Sequence, residues 1–165
     1  MARRRDPHIV DPVMAASLLA SRRIAVVGAS EDSGNFGRTI YRALRDRGVE
    51  TVAVHPEAAS VDGDRCYPTL ADVPDPIDTA IVMVAAPTSV DIVRDCAALG
   101  IGKVWLFKGL GGAGAASDEA VRVAEELGLV VIPGACPLMF LEPVGWFHRI
   151  HRAGRHVNGS LAGVS

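Results

Sequence analysis

Residues 24–37 read Ile-Ala-Val-Val-Gly-Ala-Ser-Glu-Asp-Ser-Gly-Asn-Phe-Gly, and this stretch decides the architecture. Ile24 to Val27 is a short β-branched run ended by Gly28, as expected of a strand buried on both faces. A glycine-bearing loop then leads into residues 36–47. There Phe36, Ile40, Ala43 and Leu44 share one helical face, and Arg38, Arg42 and Arg45 share another. Gly48 closes that helix. Strand, glycine loop and amphipathic helix in this order are the opening of a βαβ unit.

The same alternation continues on either side. Asp11-Pro12 opens a helix through Ala20, with Val13, Leu18 and Leu19 as its buried side. Thr51 to Val54 forms a second strand, closed by His55-Pro56. Residues 57–76 carry the turn signals Asp62-Gly63, Pro74 and Pro76, a short strand near 64–67 and a brief helix near 69–72. Thr79 to Val84 is a fourth strand, and Thr88 or Ser89 caps a helix reaching Leu99. Lys103 to Phe107 is a fifth strand, followed by a glycine-rich loop from Gly109 to Gly114. Ser117 starts a further helix, Leu129 to Ile132 is a sixth strand, and Pro143 to Arg152 forms a last helix carrying Trp146, Phe147 and Ile150. The pattern predicts an α/β fold: a single Rossmann-like, doubly wound domain over residues 1–152 with a mostly parallel sheet, and a disordered tail over 153–165.

Composition narrows the functional classes. A net charge of −2 on 165 residues argues against a nucleic-acid binder, and Arg3-Arg4-Arg5 reads as a solvated terminal run. No apolar stretch is long enough to span a bilayer, and the start lacks the apolar core of a signal peptide. Cys66, Cys96 and Cys136 have no C-x-x-C spacing, which suits reduced thiols in a cytoplasmic protein. His148 and His151 fall on one helix face without a third ligand, so no metal site is expected. Ser30 lacks the second glycine of a G-x-S-x-G elbow, and no catalytic triad is defined.

In a doubly wound sheet, ligands bind beyond the carboxyl ends of the strands, where the strand order reverses. That rule selects Gly28-Ala29-Ser30, His55-Pro56, Ala86-Pro87-Thr88, Lys108-Gly109 and the loop ending in Cys136. The first loop runs through Gly34, Asn35, Phe36 and Gly37 into a helix, whose free N–H groups favour a phosphate. Its spacing is neither G-x-G-x-x-G nor a Walker A sequence. The second strand ends in His55-Pro56, not in the carboxylate that grips a bare ribose, which disfavours NAD and suits a phosphorylated ribose.

In order, IAVVGAS (24–30), VAVHP (52–56), DGDRCYPTLADVP (62–74), DTAIVMVAAPTSV (78–90), VWLFKGLG (104–111) and IPGACPLMF (132–140) resemble the CoA-binding domain family. The resemblance covers roughly residues 14–142; it extends to small stand-alone bacterial members and the amino-terminal domain of the succinyl-CoA synthetase alpha subunit. It implies coenzyme A or an acyl-CoA as ligand, with the phosphates on Ala29, Ser30, Asn35, Phe36 and Gly37. The nucleotide end then falls at His55 and Pro56, and the pantetheine along Ala86, Pro87 and Thr88 toward Lys108 and Gly109. Where the family carries a basic residue after the second strand this chain has His55-Pro56, and Arg38 or Arg42 can take that contact. The synthetase's phosphorylated histidine lies in a second domain outside this sequence, so the resemblance implies binding without catalysis, as a sensor, carrier or regulator. Cys136, beside the pantetheine path, is read first as an inert thiol and second as a partner for a mixed disulfide with CoA. An NADP-type oxidoreductase with Arg38 or His55 on the 2′-phosphate is the rival reading, and an interaction module with a vestigial pocket is the third. An open sheet edge would also allow a homodimer.

Overall fold

In a computed structural model, which describes residues 10–108 and 114–141, the chain folds as an α/β sandwich around one seven-stranded sheet. The elements run α1 (Pro12–Leu19), β1 (Arg23–Val27), α2 (Phe36–Arg45), β2 (Glu50–Val54), β3 (Ser60–Val61) and β4 (Asp64–Tyr67). They continue as β5 (Thr79–Val82), α3 (Thr88–Ala98), β6 (Lys103–Leu106), α4 (Asp118–Glu126) and β7 (Val130–Pro133), with single 3-10 turns at Leu70–Asp72 and Pro137–Met139. The sheet order is β3-β4-β2-β1-β5-β6-β7, and every neighbouring pair is parallel except β3 with β4. The chain builds outward from β1 to β2 and then returns to β5 on β1's other flank, so the topological switch lies at β1.

Strand β1 is buried along its whole length because the sheet is covered on both faces. Ile24 and Val26 pack with Leu18 of α1, with Ile40, Tyr41 and Leu44 of α2, and with Trp105. Ala25 and Val27 point the other way, toward Val90, Val93 and Cys96 of α3 and Ala120, Val123 and Ala124 of α4. The period-two alternation of a strand thus feeds two cores at once. Each fully buried Val, Leu or Ile contributes about 1.5–3 kcal/mol relative to an exposed one. At the opposite, amino edge, Arg23 pairs with Glu50 at 3.0 Å and Asp75 at 3.3 Å, while its N–H donates to Asp78. That edge is pinned by side chains, which leaves the carboxyl edge to the loops.

Several sequence expectations shift in detail. Asp11 caps α1 and Pro12 opens it, and the resulting phase leaves Val13 77% exposed and buries Ala15 beside Leu18 and Leu19. On α2 the buried side includes Tyr41, whereas Phe36 is partly exposed. Neither Thr88 nor Ser89 caps α3: Pro87 occupies the N-cap without a side-chain bond, and Ser89 is buried with its hydroxyl unpartnered. Strand β5 stops at Val82 instead of Val84, and β3, two residues long, had too little pattern to be read. Ser117 caps α4 as expected, its hydroxyl accepting from the Ala120 N–H at 3.1 Å. No helix among the described residues is long and apolar enough to cross a membrane. The predicted helix over Pro143–Arg152 with Trp146, Phe147, His148, Ile150 and His151, the tail over 153–165, Arg3 to Arg5 and Gly109 lie outside the described residues.

Candidate functional site

At the carboxyl edge, the β1–α2 loop is the most tightly constructed feature. Gly28 has φ +105°, and a Cβ there would meet Val84 Cγ1 at 3.1 Å and Met83 Cβ at 3.2 Å, so a side chain would collide with the end of β5. Its N–H donates to the Val54 carbonyl at 2.8 Å, and the Met83 N–H donates to Val27 at 2.8 Å. Three strand ends are therefore held together at the switch point. Ala29 and Ser30 are buried, and the Ser30 hydroxyl accepts from the Asp32 N–H at 3.3 Å.

Asn35 closes the loop. Its Oδ1 caps α2 by accepting from the Arg38 N–H at 2.8 Å, and its Nδ2 donates back to the Gly28 carbonyl at 3.1 Å. A Cβ on Gly37 would lie 3.0 Å from both N and Cα of Ala29, so the start of the helix rests directly on the loop. The first N–H groups of a helix have no intrahelical acceptor, and Asn35 satisfies only that of Arg38. N–H groups left free at a helix start favour an anion.

The remaining strand ends lie along the same carboxyl edge. His55 accepts at Nδ1 from the N–H groups of Glu57 at 3.1 Å and Ala58 at 3.2 Å. That double acceptance occupies Nδ1 and leaves Nε2 as the ring nitrogen without a backbone partner. Pro56 beside it is exposed. Ala86, Pro87 and Thr88 are exposed, the Ala86–Pro87 peptide is cis, and the Ala86 N–H donates to Gly114 at 3.3 Å. Lys108 is exposed, and a Cβ on Gly134 would stand 3.9 Å from its Cβ, which places the end of β6 beside the loop of Cys136. Trp105 Nε1 is within hydrogen-bond distance of the carbonyls of Gly134 (3.2 Å) and Ala135 (3.3 Å), and Phe140 meets its ring edge-on at 5.6 Å. Phe36 contacts Phe107 at 5.3 Å between ring centroids, joining the first loop to the end of β6.

Arg38 and Arg42 are not turned to this edge as free cations. Both donate to Asp62, at the tip of the β3–β4 hairpin, and Arg38 also bonds Glu31. Sequence reading marked Asp62-Gly63 only as a turn; an ion pair across 24 residues leaves no local signal. The cysteines differ in burial. Cys66 and Cys96 are buried, burial pushes both thiols up, that of Cys96 to about 12, and Cys136 is half-buried. A groove of about 610 Å³ between α3 and α4 is lined by Arg94 and Arg122, but each of these is paired with a carboxylate, Asp91 or Glu126. No cluster of potential metal ligands occurs among the described residues.

Fold and edge together define a Rossmann-like α/β domain whose second strand ends at Val54 and is followed by His55-Pro56 in place of a carboxylate. Residues 22–142 match the family described as CoA binding domain, and the chain belongs to that family. It is 34% identical over 118 residues to an acetate–CoA ligase (ADP-forming) I of Archaeoglobus fulgidus, covering 68% of this chain but only 17% of the ligase. A hypothetical protein from Pyrococcus horikoshii OT3 shares the fold, with a TM-score of 0.71 at 24% identity over 85% of this chain and 95% of that one. A dinucleotide-forming acetyl-coenzyme A synthetase 1 of Ca. Korarchaeum cryptofilum, solved in complex with phosphate and ADP, is 31% identical with a TM-score of 0.60. The match covers 69% of this chain and 26% of the synthetase. The chain thus spans about a quarter or less of the length of these named enzymes.

Proposed function

We propose that this chain binds coenzyme A or an acyl-CoA across the carboxyl edge of its sheet and performs no chemistry on it. The observation that carries this reading is the loop from Gly28 to Gly37. Asn35 ties it shut at both ends, and Gly37 brings α2 against Ala29. A diphosphate would sit on the amides of this loop and helix start. The nucleotide end would lie toward His55-Pro56, and the pantetheine would pass Ala86-Pro87-Thr88 toward Lys108 and Cys136. Family membership supports the ligand, and the site supports a binder in place of a catalyst. Ser30 turns its hydroxyl back on its own loop, and His55 is engaged by backbone N–H groups. Such a domain would act in the cytoplasm as a sensor, carrier or regulator whose state depends on its load.

The test is thermal and chemical denaturation in the presence of CoA, acetyl-CoA, NAD and NADPH. A ligand at a hundredfold its Kd stabilises the folded state by about 2.7 kcal/mol. Shifts with the CoA compounds alone are expected; a shift confined to the nicotinamide compounds, or none with any ligand, would overturn the reading. Incubation with acetate, CoA and ATP should yield no acetyl-CoA, and turnover by the purified chain would overturn the non-catalytic part.

A further inference from the structure

The nucleotide flank of the site is electrically closed by the protein itself. Three arginines, one helical turn apart on α2, converge on the tip of the β3–β4 hairpin. Arg38 donates through Nε at 2.9 Å and Nη2 at 2.8 Å to Asp62 Oδ1, and Arg42 donates to the same carboxylate through Nη2 at 2.7 Å and through Nε. Arg45 reaches the Asp62 carbonyl at 3.3 Å and pairs with Asp64 at 2.9 Å. From the phosphate loop, Glu31 pairs with Arg38 at 3.0 Å and accepts from the Asp62 N–H. Three guanidinium groups thus meet three carboxylates, and the Asp62 side chain is only 12% exposed. Arg38 belongs to the first turn of α2, where its own N–H is capped by Asn35.

No other cation among the described residues replaces them there. His55 has its Nδ1 engaged by the N–H groups of Glu57 and Ala58 and presents no bidentate fork. Arg65 lies over the Tyr67 ring at 4.9 Å, and strand alternation puts both on the α3 side of the sheet, opposite α2. Lys108 follows β6, a strand three places from β2 in the sheet and about 14 Å away at the usual inter-strand spacing.

We propose that Asp62 sets the ligand class of the site: by holding Arg38 and Arg42, it lets the domain accept pantetheine adenosine diphosphates with and without the 3′-phosphate alike. This rests on the coenzyme A reading and sharpens it. A 3′-phosphate gains selectivity from a bidentate guanidinium; Asp62 occupies the Nε/Nη2 edge of both arginines, and Glu31 takes the remaining edge of Arg38 through its carbonyl at 3.3 Å and its carboxylate at 3.0 Å. The ligand class is therefore CoA and dephospho-CoA together.

The experiment measures Kd for CoA and dephospho-CoA by calorimetry on the wild type, on Asp62→Asn, and on Asp62→Asn combined with Arg38→Gln. The ratio of the two Kd values within each protein is the readout, so a general loosening of the hairpin cancels. The wild-type ratio should lie within about threefold of unity, Asp62→Asn should favour CoA by about tenfold or more, and the double variant should return toward the wild type. A wild-type preference for CoA above tenfold, or an unchanged ratio in Asp62→Asn, would overturn the role of Asp62 alone. Binding of neither nucleotide to the wild type would overturn the coenzyme A reading, and this inference with it.

Discussion

Gly37 shows how little room the β1–α2 loop leaves. A methyl group there would press at 3.0 Å on backbone atoms of Ala29, which cannot swing aside as a side chain would. Gly37→Ala should therefore cost about 1–3 kcal/mol in urea unfolding and lower CoA affinity at least tenfold, because the loop must move off α2. Full retention of affinity in Gly37→Ala would show that the ligand does not use this loop. Asp62 makes a second prediction. The hydrogen bond from Arg42 is the largest influence on its carboxyl; with the bond from Arg38 it outweighs burial and holds the group down to about 2, from an ordinary 3.8. A lowered carboxyl stabilises the fold fully above its unfolded value and loses that contribution as it protonates. The stability difference between the wild type and Asp62→Asn should thus be constant above pH 4 and shrink as the pH falls from about 4 toward 2. A difference independent of pH across that interval would show that Asp62 is not stabilised by its arginines.

At the scale of elements, the loops at the strand ends are shaped by the strands they leave. Trp105, fully buried in β6, hydrogen-bonds the carbonyls of Gly134 and Ala135 and so fixes the turn in which Ala135 takes φ +57°. Trp105→Phe keeps an aromatic ring but loses those bonds and leaves a gap, and it should cost about 1–3 kcal/mol in chemical denaturation. The three thiols report on their elements separately. Cys96, inside α3, is raised to about 12 by burial, and Cys66, in β4, is raised for the same reason, while Cys136 stands half-buried after β7. Titration with a thiol reagent at pH 8 should modify Cys136 first, with the other two following only on unfolding; rapid reaction of all three would contradict the packing of α3 and β4. These same elements show what was legible in the sequence. Ile24 to Val27 and Thr79 to Val82 announce themselves because a central parallel strand is apolar on both faces. The cap of α4 is legible because Ser117 acts on the N–H three residues ahead. Strand β3 is too short for a period, α1 turns Val13 outward because Asp11 and Pro12 set its phase, and the Asp62 contacts depend on a hairpin packing against a helix 20 and 24 residues earlier. Local pattern carries information about neighbours in sequence, and those contacts join residues that are neighbours only in space.

Across the whole molecule, the parallel sheet sorts its two edges by task. The amino edge is locked by side chains, with Arg23 held by Glu50 and Asp75 and the Ser21 hydroxyl 2.7 Å from that of Thr79. The carboxyl edge instead carries loops joined to one another by backbone bonds, such as Gly28 to Val54, His55 to Tyr67, Ala86 to Gly114 and Gly134 to Leu106. A ligand laid along that edge would touch several loops whose strand ends are already tied together, and the ordering should appear in all of them at once. Hydrogen exchange with and without CoA should therefore show slower exchange at the amides of residues 28–38, at the turn after β2 and at the loops after β5 and β7. The amides of Arg22, Gly100 and Gly102 at the amino edge should keep their rates. The amplitude follows from linkage: amides that exchange only through opening of the bound state should slow by a factor of about 1 + [L]/Kd, about a hundredfold at a hundred times the Kd. A footprint confined to the first loop and α2 would mean that the ligand ends at its phosphates and that no pantetheine crosses the sheet.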